Sequence, residues 1–313
     1  MTINQTLQKD LVQALAVLAG DTPARLRFSE PMDRHTSFRI GGLADAFFEP
    51  ASIQEIDQAL SFCKRHQIPC TIIGNGSNLL VSDLGIRGLV LAVGDSLSGI
   101  ERQDNTLLVM AGTRLAALAA FAARQELTGL EFASGIPGTL GGAIQMNAGA
   151  YDGCMQDVVR QTQYLDEDLN CRYMTGEEHQ FSYRHSVFSD RSTVILRAHL
   201  ELNPGTYAAI TARINDLAER RRQSQPLELP SAGSVFKRPP GFYAGKLISD
   251  CQLKGLCIGD AQVSEKHAGF IVNRGAATAR DVRRLIEHIQ AVVSAQTGVR
   301  LEPEIKCIGD WPA

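Results

Sequence analysis

Two clusters of glycine constrain this chain more than any other feature. In the first, Gly74-Asn75-Gly76-Ser77-Asn78 separates the β-prone runs Thr71–Ile73 and Leu79–Val81. In the second, Ser134-Gly135-Ile136-Pro137-Gly138-Thr139-Leu140-Gly141-Gly142-Ala143 continues to Gly149, placing five glycines in the 16 residues 135–150. That density is too high for the interior of a regular element, where each glycine costs up to about 1 kcal/mol. Loops of this kind can turn several backbone N–H groups toward one point and leave no side chain in the way of a phosphate. Two glycine loops together favour an extended, nucleotide-like ligand, and Pro137 would stiffen the second bend. For the first loop a plain hairpin turn is the alternative, since Asn-Gly favours one. A Rossmann fingerprint is excluded because Leu79 stands where its third glycine belongs, and no Gly-Lys-Ser/Thr of a Walker loop is present.

A chain of 313 residues predicts about two domains and ample core. Its net charge of −3 offers no general attraction to nucleic acid or anionic membrane, so an anionic ligand must be held locally. The seven cysteines are scattered without a C-x-x-C pair, which argues against a disulfide framework or a metal site and for inert packing residues. No apolar run is long enough to span a bilayer, and residues 1–20 read as an amphipathic helix rather than a signal peptide, which points to the cytoplasm. Further helices are expected from Ser52-x-x-Glu55 to about His66, over 114–126 with Thr113 as N-cap, over 206–223, and over 279–296 between Thr278 and Gly298. Strands are expected at 232–236, 268–272 and 304–308. A boundary near Asn203-Pro204-Gly205 divides the chain into an N-terminal extension (1–34), a first domain (35–204) and a second (205–313).

The ordered series HTSFRIGG (35–42), IIGNGSNLLVSD (72–83), ASGIPGTLGGAIQMNAGAY (133–151), YRHSVF (183–188), PSAGSVFKRP (230–239), AGKLISDCQLKGLCIGDAQVSEKHAGFIVN (244–273) and LEPEI (301–305) resembles the UDP-N-acetylenolpyruvoylglucosamine reductase family. The resemblance covers nearly the whole chain. It implies an α+β fold: an FAD-binding domain of the vanillyl-alcohol-oxidase (PCMH) type and a smaller α+β substrate domain. It also implies non-covalent FAD held by Gly74, Asn75, Gly76, Ser77, Asn78 and Leu79 with Ser134, Gly135, Ile136, Pro137, Gly138, Gly141, Gly142 and Ala143. The implied reaction is NADPH-dependent reduction of a UDP-sugar enolpyruvyl ether to a lactyl ether in peptidoglycan synthesis, by a cytoplasmic monomer with no nucleic-acid or membrane partner and no metal.

That reaction makes two demands. Hydride adds to the outer carbon of the enol ether, charge builds on the carboxylate as an enediolate, and a proton must reach the inner carbon. A fixed cation and an acid are therefore needed. The resemblance places the catalytic arginine at Arg184, the proton donor at Ser234 and a third catalytic group at Glu304, with Ser231 as a structural serine of the same loop. Lys237 could favour a transient Ser234 alkoxide. Glu302, two residues before Glu304, would share its side of a strand, so periodicity alone does not separate them. Tyr183, Gln225, Lys237 and His267 are the substrate-binding candidates, and the arginines 220–222 read as an exposed helix end.

Arg184 and Ser234 are only 50 positions apart, so the chain resembles the shorter branch of the family, without the inserted segment that carries a lid tyrosine. His35 and Tyr151 are the candidates for closing the site instead. Two rival readings remain: a flavin oxidase on the same FAD domain, and a non-catalytic nucleotide-binding module.

Overall fold

The computed structural model describes residues 4–16 and 25–311. The chain forms two compact units, one of Met1–Arg27, Ala46–Asn75 and Gly88–Arg220, the other of Phe28–Asp45, Gly76–Arg87 and Arg221–Ala313. Packing thus divides the chain differently from a single boundary at 204/205. The reason lies in the second unit's core, where Phe38, Ile40 and Leu80 are buried in one cluster with Val235, Ile248, Val263, Leu285 and Ile289. Burying such side chains is worth about 1.5–3 kcal/mol each, which draws two short N-terminal segments into the C-terminal unit.

In the first unit a five-stranded antiparallel sheet runs in the order 171–175, 159–165, 194–201, 106–110, 100–103. Alternation along Thr106–Met110 buries Leu107 and Val109, which lie opposite Leu200 and Ala198. Helix Leu115–Arg124 buries Leu115, Leu118, Ala119, Ala122 and Ala123. Its N-cap is Arg114 rather than the expected Thr113, because the Thr113 hydroxyl is taken by Gly99, bonding its N–H at 3.1 Å and its carbonyl at 3.2 Å. The unit also pairs Cys70–Ile73 in parallel with Leu89–Ala92. Helix Tyr207–Ser224 buries only Ile210 and Leu217.

Helix Ile53–His66 begins as expected, with Ser52 Oγ accepting from Glu55 N at 3.2 Å. The Glu55 carboxylate does not complete a capping box; it accepts from Ala51 N at 2.8 Å and from Arg25 Nη2 at 3.0 Å. The glycine-rich segment departs from expectation too, since Gly141 and Gly142 lie inside the short helix Leu140–Gln145. Close packing explains it: a Cβ on Gly141 would lie 3.2 Å from the Ala111 side chain.

In the second unit Leu79–Val81 pairs in parallel with Lys306–Ile308, and a small sheet orders 257–258, 261–263, 271–273. Helix Ala279–Thr297 has its expected cap at Thr278, which forms a capping box with Asp281, and ends at Gly298 with φ +72°. Its first turn has a partner the sequence did not announce: Asp83 accepts from Ala279 N at 2.8 Å and Arg280 N at 3.0 Å. The strand expected at 232–236 exists only as isolated bridges, Ser234 with Phe270 and Phe236 with Pro303, because Gly233 turns the chain with φ +78°. The other two expected strands shorten to 271–273 and 306–308. Parts of the expected helix over 1–20 outside 4–16 fall beyond the described residues. Among the described residues no helix is long and apolar enough to cross a membrane.

Glu55 provides a test of this packing. Burial raises its pKa, but the Arg25 hydrogen bond, the Ala51 N–H and the Arg25 charge together bring it below the ordinary carboxylate value. A depressed folded-state pKa stabilises above the unfolded value, and the contribution is lost as pH falls through the folded one. Glu55→Gln should therefore destabilise the protein by about 1–3 kcal/mol at pH 7, with the difference from wild type shrinking below about pH 4. Urea titrations at a series of pH values check this, and a gap that stayed constant with pH would contradict it.

Candidate active site

The two glycine loops are joined within the first unit. Asn75 Nδ2 donates to Pro137 O at 2.8 Å, and a Cβ on Gly74 would fall 2.5 Å from Thr139 Oγ1. Thr139 is buried, and its hydroxyl has no hydrogen-bond partner. In the second loop several amides are engaged: Ile136 N with Ala133 O, Gly138 N with Ile136 O, and Gly141 N with Ala111 O at 2.9 Å. Ser134 Oγ likewise donates to Glu131 O at 2.8 Å. The second loop therefore contributes shape more than free N–H groups.

The first loop is the reverse. Gly76 O accepts from Ser37 N and Asn78 O from Lys306 N, whereas the amides of Gly74, Asn75, Gly76 and Ser77 have no acceptor among the described residues. The strands flanking this loop pair elsewhere, 70–73 with 89–92 and 79–81 with 306–308, so it is not a hairpin. Within the first unit, the unengaged amides of Gly74 and Asn75 and the unpartnered Thr139 hydroxyl, beside glycines that leave no Cβ, are donors suited to a phosphate-bearing flavin.

Arg184 stands in the first unit on a tight turn closed by Ser182 N to His185 O at 3.0 Å and His185 N to Ser182 O at 3.2 Å. Its φ of +57° is unusual for a residue with a Cβ. The turn hangs from the helix that follows the second glycine loop. Asn147 Nδ2 donates to Ser182 O at 2.9 Å, and the hydroxyls of Ser186 and Ser189 both donate to Gln145 O. The Arg184 guanidinium lies 5.2 Å from the centre of the exposed Tyr183 ring.

In the second unit Glu304 N donates to Val235 O at 2.7 Å and Lys237 N to Glu302 O at 2.8 Å, so the segments carrying Ser234 and Glu304 run side by side. Asn78 joins them, its Nδ2 donating to Glu304 O at 3.2 Å. Glu302 is distinguished from Glu304 here: its exposed carboxylate pairs with Lys237 Nζ at 2.5 Å. Lys237 is thus already matched to a carboxylate.

His267 has a different character from a cation. Burial pushes its pKa down, with the nearby Lys254 adding to the effect, and Nδ1 accepts from Gly269 N at 3.1 Å. A neutral ring so placed can offer only its Nε2–H. Gln225 has a buried, unpartnered Oε1. Of the two candidates for closing the site, His35 bonds Glu30 at 2.8 Å, and Tyr151 donates its hydroxyl to Leu217 O at 3.0 Å. Ser37, Asp83 and Thr139 carry structural or donor roles that the sequence reading did not assign, although all three fall inside its motifs.

These features define a flavin-dependent oxidoreductase with an α+β fold. A family model described as "FAD binding domain" matches residues 44–168, and one described as "UDP-N-acetylenolpyruvoylglucosamine reductase, C-terminal domain" matches 225–308. The chain is 50% identical over 286 residues to the reductase of that name from Caldanaerobacter subterraneus, covering 91% of this chain and 94% of the relative. It is 47% identical to the one from Agathobacter rectalis, covering 99% and 100%. The crystal structure of UDP-N-acetylenolpyruvylglucosamine reductase from Thermus caldophilus superposes with a TM-score of 0.77 at 34% identity, covering 92% of this chain and all of that one. The chain belongs to the UDP-N-acetylenolpyruvoylglucosamine reductase family. The match at 225–308 argues against an oxidase that shares only the flavin domain.

The first loop can be tested at Gly76, whose φ is +61° and whose added Cβ would lie 2.0 Å from His35 O. Gly76→Ala should lower the thermal midpoint by several degrees and release flavin, read as a rise in free-flavin fluorescence. A variant with wild-type stability and flavin content would show that the loop has room to adapt.

Proposed function

We propose that the chain carries out its family's reaction with Arg184, Ser234 and Glu304 as catalytic residues. It is an FAD enzyme that uses NADPH to reduce UDP-N-acetylglucosamine enolpyruvate to UDP-N-acetylmuramate, a peptidoglycan precursor. The observation that carries the residue assignment is the pairing of the Ser234 and Glu304 segments, fastened to Asn78 of the glycine loop.

FAD, when bound, supplies the hydride taken from NADPH. The amides of Gly74–Ser77 and the Thr139 hydroxyl would hold it, and the glycines of 135–142 would allow its close approach. Arg184 presents a planar, permanently charged fork to the substrate carboxylate and stabilises the charge that grows there after hydride addition. Ser234 gives its proton to the inner carbon; the enediolate carbon is basic enough to accept it from a hydroxyl. Glu304 polarises Ser234 or orients the carboxylate. Lys237, Tyr183, Gln225 and the Nε2–H of His267 bind the remaining polar groups of the UDP-sugar. The C-terminal unit holds the substrate, the site closes without an inserted tyrosine lid, and the enzyme works as a cytoplasmic monomer without nucleic-acid or membrane partners.

Anaerobic stopped-flow tests the proton donor. In Ser234→Ala, flavin should still bleach with NADPH, but its reoxidation by the enolpyruvyl substrate should slow by a factor of 100 or more, roughly the contribution of a general acid. Reoxidation at the wild-type rate would remove Ser234 from the chemistry.

A further inference from the structure

The segment HTSFRIGG belongs to the matching series, yet nothing above gives it a part in the reaction. Within the second unit its Ser37 occupies a junction. The Ser37 hydroxyl donates to Ser231 O at 2.7 Å, with Ser77 O a longer second contact at 3.4 Å. Its backbone N–H donates to Gly76 O at 3.3 Å. The same stretch is held rigidly: Thr36 Oγ1 bonds both the N–H and the carbonyl of Ile40, Asn273 Nδ2 donates to Phe38 O at 3.2 Å, and Phe38 is fully buried. A Cβ on Gly76 would strike His35 O, so no slack separates residues 35–37 from the glycine loop.

Ser231 begins the loop that carries Ser234. Downstream of Ser234 the loop is fixed by Val235 N to Gly269 O at 2.9 Å and by the Glu304 and Lys237 backbone bonds. Upstream, Pro230 O accepts from Asn273 N at 2.9 Å and the Ser37 hydroxyl supplies the side-chain hydrogen bond at Ser231, while Gly233, at φ +78° with open space around its Cα, sits between Ser231 and Ser234 as a natural pivot. With Pro230 and the Ser234–Phe270 bridge still held, losing the bond at Ser231 would free the intervening peptide to turn about Gly233 and shift the Ser234 hydroxyl by a small distance.

We propose that Ser37 is a positioning residue, whose hydroxyl ties the proton-donor loop to the flavin-loop backbone and so sets where Ser234 delivers its proton. The proposal rests on the assignment of Ser234 as proton donor. A proton donor displaced by about 1 Å loses as much as a hundredfold in rate, whereas steps that do not use it are untouched.

The test compares half-reactions of the flavin-loaded enzyme. Ser37→Ala should keep its flavin and reduce with NADPH within twofold of wild type, while reoxidation by substrate slows about tenfold to a hundredfold. The solvent deuterium isotope effect on reoxidation should rise as proton transfer becomes limiting, and Ser37→Thr, which keeps the hydroxyl, should restore the rate. In Ser37→Ala/Ser234→Ala, reoxidation should be no slower than in Ser234→Ala alone, because Ser37 acts through Ser234. Unchanged reoxidation in Ser37→Ala overturns the proposal. Equal losses in both half-reactions, or flavin loss, also overturn it by marking Ser37 as a structural strut. Multiplying losses in the double variant show that it acts other than through Ser234. If Ser234→Ala itself reoxidises normally, the underlying assignment has failed instead, which distinguishes the two.

Discussion

The parallel pairing of Leu79–Val81 with Lys306–Ile308 is the contact on which the second unit's arrangement depends. It joins segments more than 220 residues apart and extends at both ends, through Lys306 N to Asn78 O and through Ser82 N to Ile308 O. Leu80, at its centre, is fully buried in the hydrophobic cluster. Non-local pairing of this kind carries a loop-closure cost that grows only slowly with loop length, so a few well-buried side chains and backbone bonds of about 1 kcal/mol each suffice to hold it. Its chemical consequence follows from register. One residue before the strand, Asn78 closes the glycine loop; two residues before the partner strand stands Glu304. Two residues beyond Val81, Asp83 takes up the first amides of helix Ala279–Thr297. A single short strand thus aligns the end of the glycine loop, the carboxylate proposed as catalytic and the longest helix of the unit.

Left-handed backbone occurs at three positions of the proposed site. Gly76 and Gly233 take left-handed conformations at no steric cost, one against His35 O and one in open space. Arg184 takes the same conformation with a Cβ, at a cost on the order of 1 kcal/mol. Five hydrogen bonds, one each from Asn147, Ser186 and Ser189 and two within the turn's own backbone, are enough to offset it. An arginine placed on a relaxed loop would have many rotamers to lose on meeting a carboxylate; one on a turn anchored this way has its backbone fixed beforehand.

The sequence was most readable where a local rule decides the outcome. Thr278 and Gly298 delimit a helix because capping chemistry acts within four residues, and the polar loop 74–78 is a loop because its glycines fit nothing else. Reading failed where a distant partner outbid the local one. Thr113 looks like an N-cap but is taken by Gly99; Gly141 looks too permissive for a helix, yet it packs so close to Ala111 that a Cβ would lie 3.2 Å from that side chain. Residues 232–236 have strand composition, yet Gly233 bends them, leaving only bridges to Phe270 and Pro303. Glu302 and Glu304 could not be separated by a period of two, because what distinguishes them is Lys237, 65 positions away in sequence and joined to Glu302 alone. Identity of the family, by contrast, lay in motif order, which needs no contact to be read.

Charge shows how a chain of net −3 can still select an anion. Several of its surface cations are matched to carboxylates: Arg220 to Asp216, Lys246 to Asp250, Lys237 to Glu302. Such pairs hold the surface potential low, so polyanions in general gain little by approaching. An exposed pair contributes only about 0–1 kcal/mol, however, and half-exposed Lys237 can exchange the Glu302 carboxylate for a phosphate at little cost. The uncharged donors behave differently. The amides of Gly74 and Asn75 have no acceptor among the described residues to give up, and backbone donors fixed in this way discriminate by shape. In the proposed site, selectivity then comes from geometry at the loop, while a lysine already paired with a carboxylate adds little net attraction of its own.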